Sequence, residues 1–261
     1  MALRENPLPD ELCKRIEPHL PEMPKSPKGG RPWSEMRMVI AGIFWVLRTG
    51  ARWKDLPDEF PSPSTCWRRL RLFERLGVWK KLWHEALACL DPPLQAGRDE
   101  SYADGAFRAA KKGGSEIGTT KRGKGNKLMM AVNSLGVPVA ALLAPANPGE
   151  ATLIEQTLRQ APNGMEDFDV VVYDKAADSD TLRDNLADQG VELVCPHRSN
   201  RVRPARQDGR ALRRYCRRYI VERTFAWLDN FRRLVARYEW YDTMYMAFVH
   251  IACAMIAIRR L

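Results

Sequence analysis

Residues 243–258, TMYMAFVHIACAMIAI, run for 16 residues without a charged side chain. The run is shorter than the ~20 residues a membrane-spanning helix needs, and it contains His250. A helix this apolar has no face suited to water, so the rest of the chain has to cover it. The expectation is a buried C-terminal helix. A length of 261 residues leaves enough chain for that, as one large domain or as a small domain plus a medium one.

The chain that has to do the covering is basic. It carries 42 Lys and Arg against 32 Asp and Glu, a net charge of +10, with a pI near 9.5. Arginine is spread along the whole length, which suits an extended anionic partner better than one small acidic ligand. Nucleic acid is the first candidate and an anionic membrane surface the second. Cys13, Cys66, Cys89, Cys195, Cys216 and Cys253 form no CxxC pair, and no His stands at zinc-ligand spacing. That pattern is expected of free thiols in a reducing cytoplasm. The opening MALRENPLPDEL has acids and prolines where a signal peptide needs an apolar core.

Two regions follow from the patterning, divided near residue 95. In residues 1–95 a flexible basic segment ends at KSPKGGRPW, and Ser34 is placed to cap a helix whose buried face holds Val39, Ile40, Ile43, Phe44, Val46 and Leu47. After the break RTGARWKDLPDEFPSPS, a second helix runs through TCWRRLRLFERLGVWKKLW. Trp67, Leu70, Phe73 and Leu76 face inward on it, and Arg68, Arg69, Arg71 and Arg75 face water. A basic helix after a turn is what helix-turn-helix DNA readers present, although a merely solvated face has the same pattern. Residues 96–261 change period. ESYADGAFRA reads as a strand, and KLMMAVNSLGVPVAALLAPA as a hairpin turning at Ser134-Leu135-Gly136. Residues 150–161 read as helical and FDVVVYD as a short buried strand. SDTLRDNLADQG reads as a helix stopped by Gly190, and VELVCP as another strand. A long helix is expected from about Ala211 to Arg237. KKGGSEIGTTKRGKGNK, with Lys121, Arg122 and Lys124, reads as a basic loop. The order implies an α/β fold, a mixed sheet with helices on its faces, preceded by a small all-helical region.

Three acids occupy positions that chemistry could use. Asp104 lies in the first strand, followed by Gly105. Asp174 ends the apolar strand VVVY at its C-terminal edge, the usual place for functional groups in open α/β sheets. Glu222 lies in the expected long helix, where about 100° per residue puts Val221, Phe225, Leu228 and Val235 on one side. Tyr215, Arg218, Glu222, Asp229 and Arg233 form a second line, with Glu222 at the border of the buried face. Such carboxylates make a hard, oxygen-only site suited to Mg²⁺ or Mn²⁺. Two such ions about 3.5–4 Å apart can activate a water or hydroxyl and stabilise the leaving oxygen of a phosphodiester. Each acid also has a plainer reading: Asp104 as a turn residue, Asp174 as a cap for the helix near Ser179, Glu222 as the partner of Arg218.

The same stretches resemble the catalytic core of the DDE transposases of bacterial insertion sequences, in the group of insertion-sequence families four and five. DGAFRAAKKGG is similar to that family's first-Asp motif, and VVYDKAADSDTLRDNL to its second, with Asp174 at the catalytic position. YCRRYIVERTFAWLDNFRRLVARYE is similar to the third, Y-x2-R-x3-E-x6-K, through Tyr215, Arg218 and Glu222. GGRPWSEMRMVIAGIFWVLRTGARWKDLP resembles the N-terminal domain of the group, so the likeness spans nearly the whole chain. The resemblance implies an RNase H-like fold and metal-dependent cleavage and strand transfer at the terminal inverted repeats of a mobile element. It implies Asp104, Asp174 and Glu222 as metal ligands, and Tyr215 and Arg218 as DNA contacts. It also implies double-stranded DNA as partner and a homodimer pairing two ends. Two positions depart from the pattern. Asp229 stands where the lysine belongs, which leaves that DNA contact absent or supplied by Arg232 or Arg233, and Ala177 replaces the usual tyrosine. A DNA-binding repressor without catalysis, or a structure-specific nuclease of the same fold, are the alternatives.

Overall fold

The computed structural model describes residues 14–22, 33–90, 100–207 and 209–260. Most of the basic segment expected over 1–33, and the stretch 91–99 where the two regions meet, lie outside these residues.

The longer helices among the described residues of the N-terminal region are α1 (Met36–Thr49), α2 (Pro63–Arg75) and α3 (Val78–Ala88). α1 starts after Glu35 without a side-chain cap, so Ser34 does not play the expected part. It ends at Gly50, whose φ of 71° is left-handed and whose N–H returns to the Val46 carbonyl. α2 is capped by Ser62, whose hydroxyl accepts from the Thr65 N–H, with Pro63 pre-set for the first turn. The second expected helix is in fact two. Gly77, at φ 69°, turns the chain between α2 and α3 and leaves Leu76 exposed instead of buried.

The second region is built on one six-stranded sheet of β1 (Ser101–Ala109), β2 (Gly118–Thr120), β3 (Gly123–Val132), β4 (Pro138–Pro145), β5 (Val170–Val172) and β6 (Glu192–Val194). β2 and β4 pair with β3, followed across the sheet by β1, β5 and β6. β3 is antiparallel to β1, whereas β1, β5 and β6 are mutually parallel neighbours. An antiparallel ribbon continued by parallel strands is the RNase H-like arrangement. The expected hairpin is present, with Gly136 at φ 83° and the Asn133 carboxamide accepting from the Leu135 and Val137 N–H groups. The expected basic loop is partly strand: Thr119 pairs with Lys124 and Gly118 with Gly125. Glycine permits that ribbon, because a Cβ on Gly125 would come within 2.5 Å of the Arg108 carbonyl oxygen.

The sheet separates two cores. Tyr102, Leu128, Met130, Val132, Val170 and Val172 face one, and Ala103, Met129, Ala131, Val171 and Tyr173 face the other. This alternation is the period of two that strands impose. Against the first face pack α6 (Tyr219–Asp229) and α7 (Asp242–Ile258); against the second pack α4 (Ile154–Leu158) and α5 (Asp180–Ala187). The first core runs without a break into α1, α2 and α3, so the helical region and one face of the sheet share a single apolar interior. α7 is the expected buried helix, and no helix among the described residues is long and apolar enough to cross a membrane.

The long helix expected over 211–237 is broken. A 3-10 segment covers Ala211–Arg217, α6 covers Tyr219–Asp229, and a 3-10 turn follows over Arg232–Leu234. The break reverses two expected orientations, for Val235 is 50% exposed while Arg233 is 5% exposed. The break follows from Phe231, which turns inward to meet the edge of Phe44 at 6.3 Å between ring centroids. Arg233 then donates to Glu239 (2.7 Å) and to the Ala51 carbonyl (2.9 Å), tying the sheet region to the end of α1.

A second ionic lock holds residues 197–206 over the start of α5. Asp178, with its side chain 2% exposed, accepts from Arg183, Arg201, His197 and the Arg198 N–H. Burial pushes its carboxyl up, but the Arg198 N–H, His197, Arg183 and Arg201 outweigh that and hold it at about 2. Because the folded value lies below the ordinary one near 4, the stabilisation is present above that pH and is lost as pH falls through about 2. Two outcomes follow. The melting-temperature gap between the wild-type protein and Asp178→Asn narrows as pH is lowered from about 5 to about 2. In urea titrations, Arg233→Ala lowers unfolding free energy by about 3–5 kcal/mol, because it leaves Glu239 buried and unpaired.

Candidate active site

Strand register sets two of the three acids side by side. β1 and β5 run parallel, and the last pair in their ladder is Tyr102 with Val172. Asp104 and Asp174 each lie two residues beyond that pair, and the Asp174 backbone is still extended. They therefore continue the same register past the end of the ladder, Asp104 still within β1 and Asp174 just after β5. Both have the parity of Tyr102 and Val172, which puts them on the face that α6 covers. Asp104 accepts from the Gly105 N–H at 2.9 Å. Asp174 accepts from the Ala176 N–H at 2.7 Å, capping a 3-10 turn over Lys175–Ala177. The cap of α5 is Ser179, so Asp174 is not needed there.

Glu222, in the first turn of α6, is reached through one side chain. Arg218 donates to Glu222 at 2.6 Å and to Asp104 at 3.0 Å, so one guanidinium spans acids from two elements. The plainer reading of Glu222 as the partner of Arg218 holds. Burial works against the Arg218 charge, yet Asp104 and Glu222 outweigh it and raise its pKa. Burial raises the Asp104 carboxyl above its ordinary range, against the opposing pull of Arg218. Tyr215 stands one turn earlier with its ring 6.0 Å from the Arg218 guanidinium carbon. Glu222 keeps its side chain 54% exposed, open to a substrate.

The remaining basic residues are dispersed. Lys121 and Arg122 form the exposed turn between β2 and β3, and Lys124 is the second residue of β3. Asp104 pairs with Met130, six residues from Lys124, so that turn projects roughly 20 Å beyond the carboxylates. Arg68 and Arg71 are exposed on α2, and Arg69 lies over the Trp33 ring at 4.6 Å. Arg232 is exposed. Arg233 is not: its donors are taken up by Glu239 and the α1 end, as described above.

Two features beside the site have no counterpart in the sequence reading. Glu150 accepts from the Tyr173 hydroxyl at 2.9 Å on the face opposite Asp104, and it adds to the raising of the Asp104 carboxyl. A Cβ on Gly105 would come within 2.8 Å of the Met129 sulfur and 3.1 Å of Glu150, so a side chain after Asp104 would have to push those two side chains aside. Asp229, the departure from the expected lysine, binds Arg108 of β1 at 2.6 Å. Arg108 is itself buried, which accounts for an acid at this point among arginines. The two lie 121 residues apart, and no local pattern pairs them.

The all-oxygen donor set fits a hard divalent cation. Its closure does not: among the described residues no group of three or more His, Cys, Asp and Glu converges closely enough to hold a metal ion. The positive charge between Asp104 and Glu222 is the Arg218 guanidinium. Asp104 and Glu222 would hold a divalent cation only with Arg218 moved aside.

Comparison with known proteins gives the family. Residues 95–257 match the family model described as "Transposase DDE domain", and residues 8–83 match "Putative transposase of IS4/5 family". "Insertion element IS402 uncharacterized 16.2 kDa protein" of Burkholderia cepacia is 40% identical over 115 residues, covering 42% of this chain and 78% of that protein. "Putative transposase for insertion sequence element IS402" from the same organism is 31% identical over 145 residues, covering 53% and 65%. "Putative transposase for insertion sequence element IS6501" of Brucella ovis is 30% identical over 135 residues, covering 51% and 98%. A solved structure, "Crystal structure of a pre-cleavage Mos1 transpososome", aligns over 96% of this chain and 85% of that one at 13% identity. Its TM-score of 0.28 is too low to bear on the fold. With its catalytic-type region matched from end to end and its helical region matched beside it, the chain belongs to the DDE transposases of the IS4/5 group.

Proposed function

We propose that the chain binds the terminal inverted repeats of its element, then cuts and joins DNA there with Asp104, Asp174 and Glu222 as the ligands of two Mg²⁺ or Mn²⁺ ions. The observation that carries the reading is the Arg218 bridge. It brings Asp104 and Glu222 to one positive charge, and Asp174 follows the end of β5, the strand that pairs beside β1. Bound at these acids, the ions supply activation of the attacking water or hydroxyl and stabilisation of the leaving oxygen.

The chain's own residues do the rest. Arg218, stacked near Tyr215, exchanges a carboxylate for a backbone phosphate when DNA arrives, a bidentate partner of the same geometry. The same movement frees Asp104 and Glu222. DNA arrival and cation loading are thereby coupled through one side chain. Lys121, Arg122 and Lys124, at the end of the β2–β3 ribbon, and Arg68, Arg69 and Arg71, on α2, hold phosphates away from the cutting point. Two copies pair two ends.

The test uses a duplex carrying the element's own end. Glu222→Gln lowers Mg²⁺-dependent cleavage at least about 100-fold, more than loss of an outer-shell partner does, while duplex binding in EDTA persists. Undiminished cleavage would remove Glu222 from the ligand set. Wild-type binding without nicking under any metal would leave a repressor, and hydrolysed ends without joined products a nuclease. A second expected outcome concerns Arg218→Gln. Without DNA it binds Mn²⁺ several-fold more tightly than wild type by paramagnetic resonance titration, because the competing cation is gone. Unchanged or weaker Mn²⁺ binding sinks the displacement step.

A further inference from the structure

A cavity of about 580 Å³ opens where the ends of α1, α6 and α7 meet. Arg48 comes from the last turn of α1, Arg232 from the turn after α6, and Arg259 from the residue that follows α7. All three line the cavity and are exposed, and none of the three guanidiniums has a hydrogen-bond or ion-pair partner among the described residues. The acid in the wall, Asp229, is already neutralised by Arg108.

The arrangement is built. Gly50 ends α1 in a left-handed conformation, and a Cβ there would come within 3.0 Å of the Arg232 Cβ, so the α1 end rests on the Arg232 backbone. Arg233, the next residue, is fixed inward by Glu239 and the Ala51 carbonyl, which sends Arg232 outward into the cavity. The Phe44–Phe231 contact forms the floor. Three guanidiniums held around one space without a counter-ion repel one another, and an anion with several acceptor oxygens relieves that.

Position decides which anion. Asp229 follows Glu222 by seven residues, two turns of α6, so it lies on the same helix face about 10 Å further along. At 3.4 Å per nucleotide that is roughly three nucleotides of one strand. We propose that Arg48, Arg232 and Arg259 form a phosphate clamp, holding backbone phosphates of the DNA strand about three nucleotides from the Glu222 end of the active site. The clamp takes the place of the lysine that Asp229 replaces, with two of its three arginines contributed from outside the α6 region. The proposal rests on the DNA-processing function above.

The experiment measures affinity for a fluorescent 30-base-pair duplex of arbitrary sequence, in EDTA, as salt is varied. In Arg48→Gln/Arg232→Gln/Arg259→Gln the slope of log K against log salt becomes shallower by about 2, for two phosphates lost at 0.9 each. Adding Asn230→Lys, in the cavity wall, to that triple variant recovers about one unit of slope. Adding Asn185→Lys, on α5 across the sheet, does not. A folded triple variant with the wild-type slope, or equal recovery by the two lysines, overturns the clamp and leaves the DNA reading standing. A wild-type protein that binds no duplex even at low salt overturns the DNA reading itself. Calorimetry with inorganic phosphate at constant ionic strength is the last arm. Micromolar binding that is lost in the triple variant, with an unchanged DNA slope, reassigns the cavity to a small anion.

Discussion

Helix α7 imposes the condition that the other elements satisfy. From Ala247 to Ile258 every residue is buried, so the helix is stable only when enclosed on all sides. α2 and α3 enclose it on one side, and β4 and α6 on the other. Trp53 stacks on Phe248 at 6.1 Å, Trp83 stacks on His250 at 5.9 Å, and the Trp83 indole donates to the Pro138 carbonyl at 3.0 Å. His250, the lone polar interruption expected from the sequence, lies against Glu74 of α2 at 3.4 Å. The N-terminal helices are thus part of the interior that lets the sheet exist.

Arginine in this chain serves two separate ends. Arg108, Arg183, Arg233 and Arg237 are buried; the last three are held by acceptors inside the protein, and Arg108 by the half-exposed Asp229. Arg237 alone donates to the Glu239, Ser115 and Trp240 carbonyls and to the Asn126 side chain, fastening the segment after α6 to the β1–β3 ribbon. The planar fork of donors that suits phosphate also suits converging carbonyls in a protein interior. Net charge therefore overstates the number of arginines open to an anionic partner, and burial separates the two groups where sequence position does not.

What the sequence made legible was whatever its local pattern determines. The β3–β4 hairpin, the short apolar strands and the stop at Gly190 follow from period and turn chemistry, and they are where expected. Asp104 and Asp174 were noticed because one lies inside an expected strand and the other directly after one. The misreadings share a cause. The 3.6-residue pattern of α6 continues on paper past Asp229, but Phe231 gains more from packing against Phe44 than from continuing the helix. Arg233 and Val235 consequently exchange the faces that the pattern gave them. Glu150, Arg108 and the Arg48–Arg232–Arg259 group come together only through long-range packing, which no short window contains.

The continuous interior shared by the helical region and the sheet has a mechanical meaning. Two bodies joined by a linker tolerate variation in the distance between them; two halves of one packed core do not, because close-packed side chains resist deformation. On the proposed function, the separation between where α2 grips a duplex and where Glu222 meets it is a fixed length, and the protein measures with it. Trimming a seam side chain such as Phe44, which meets Phe231, would then show up as a displaced cleavage position.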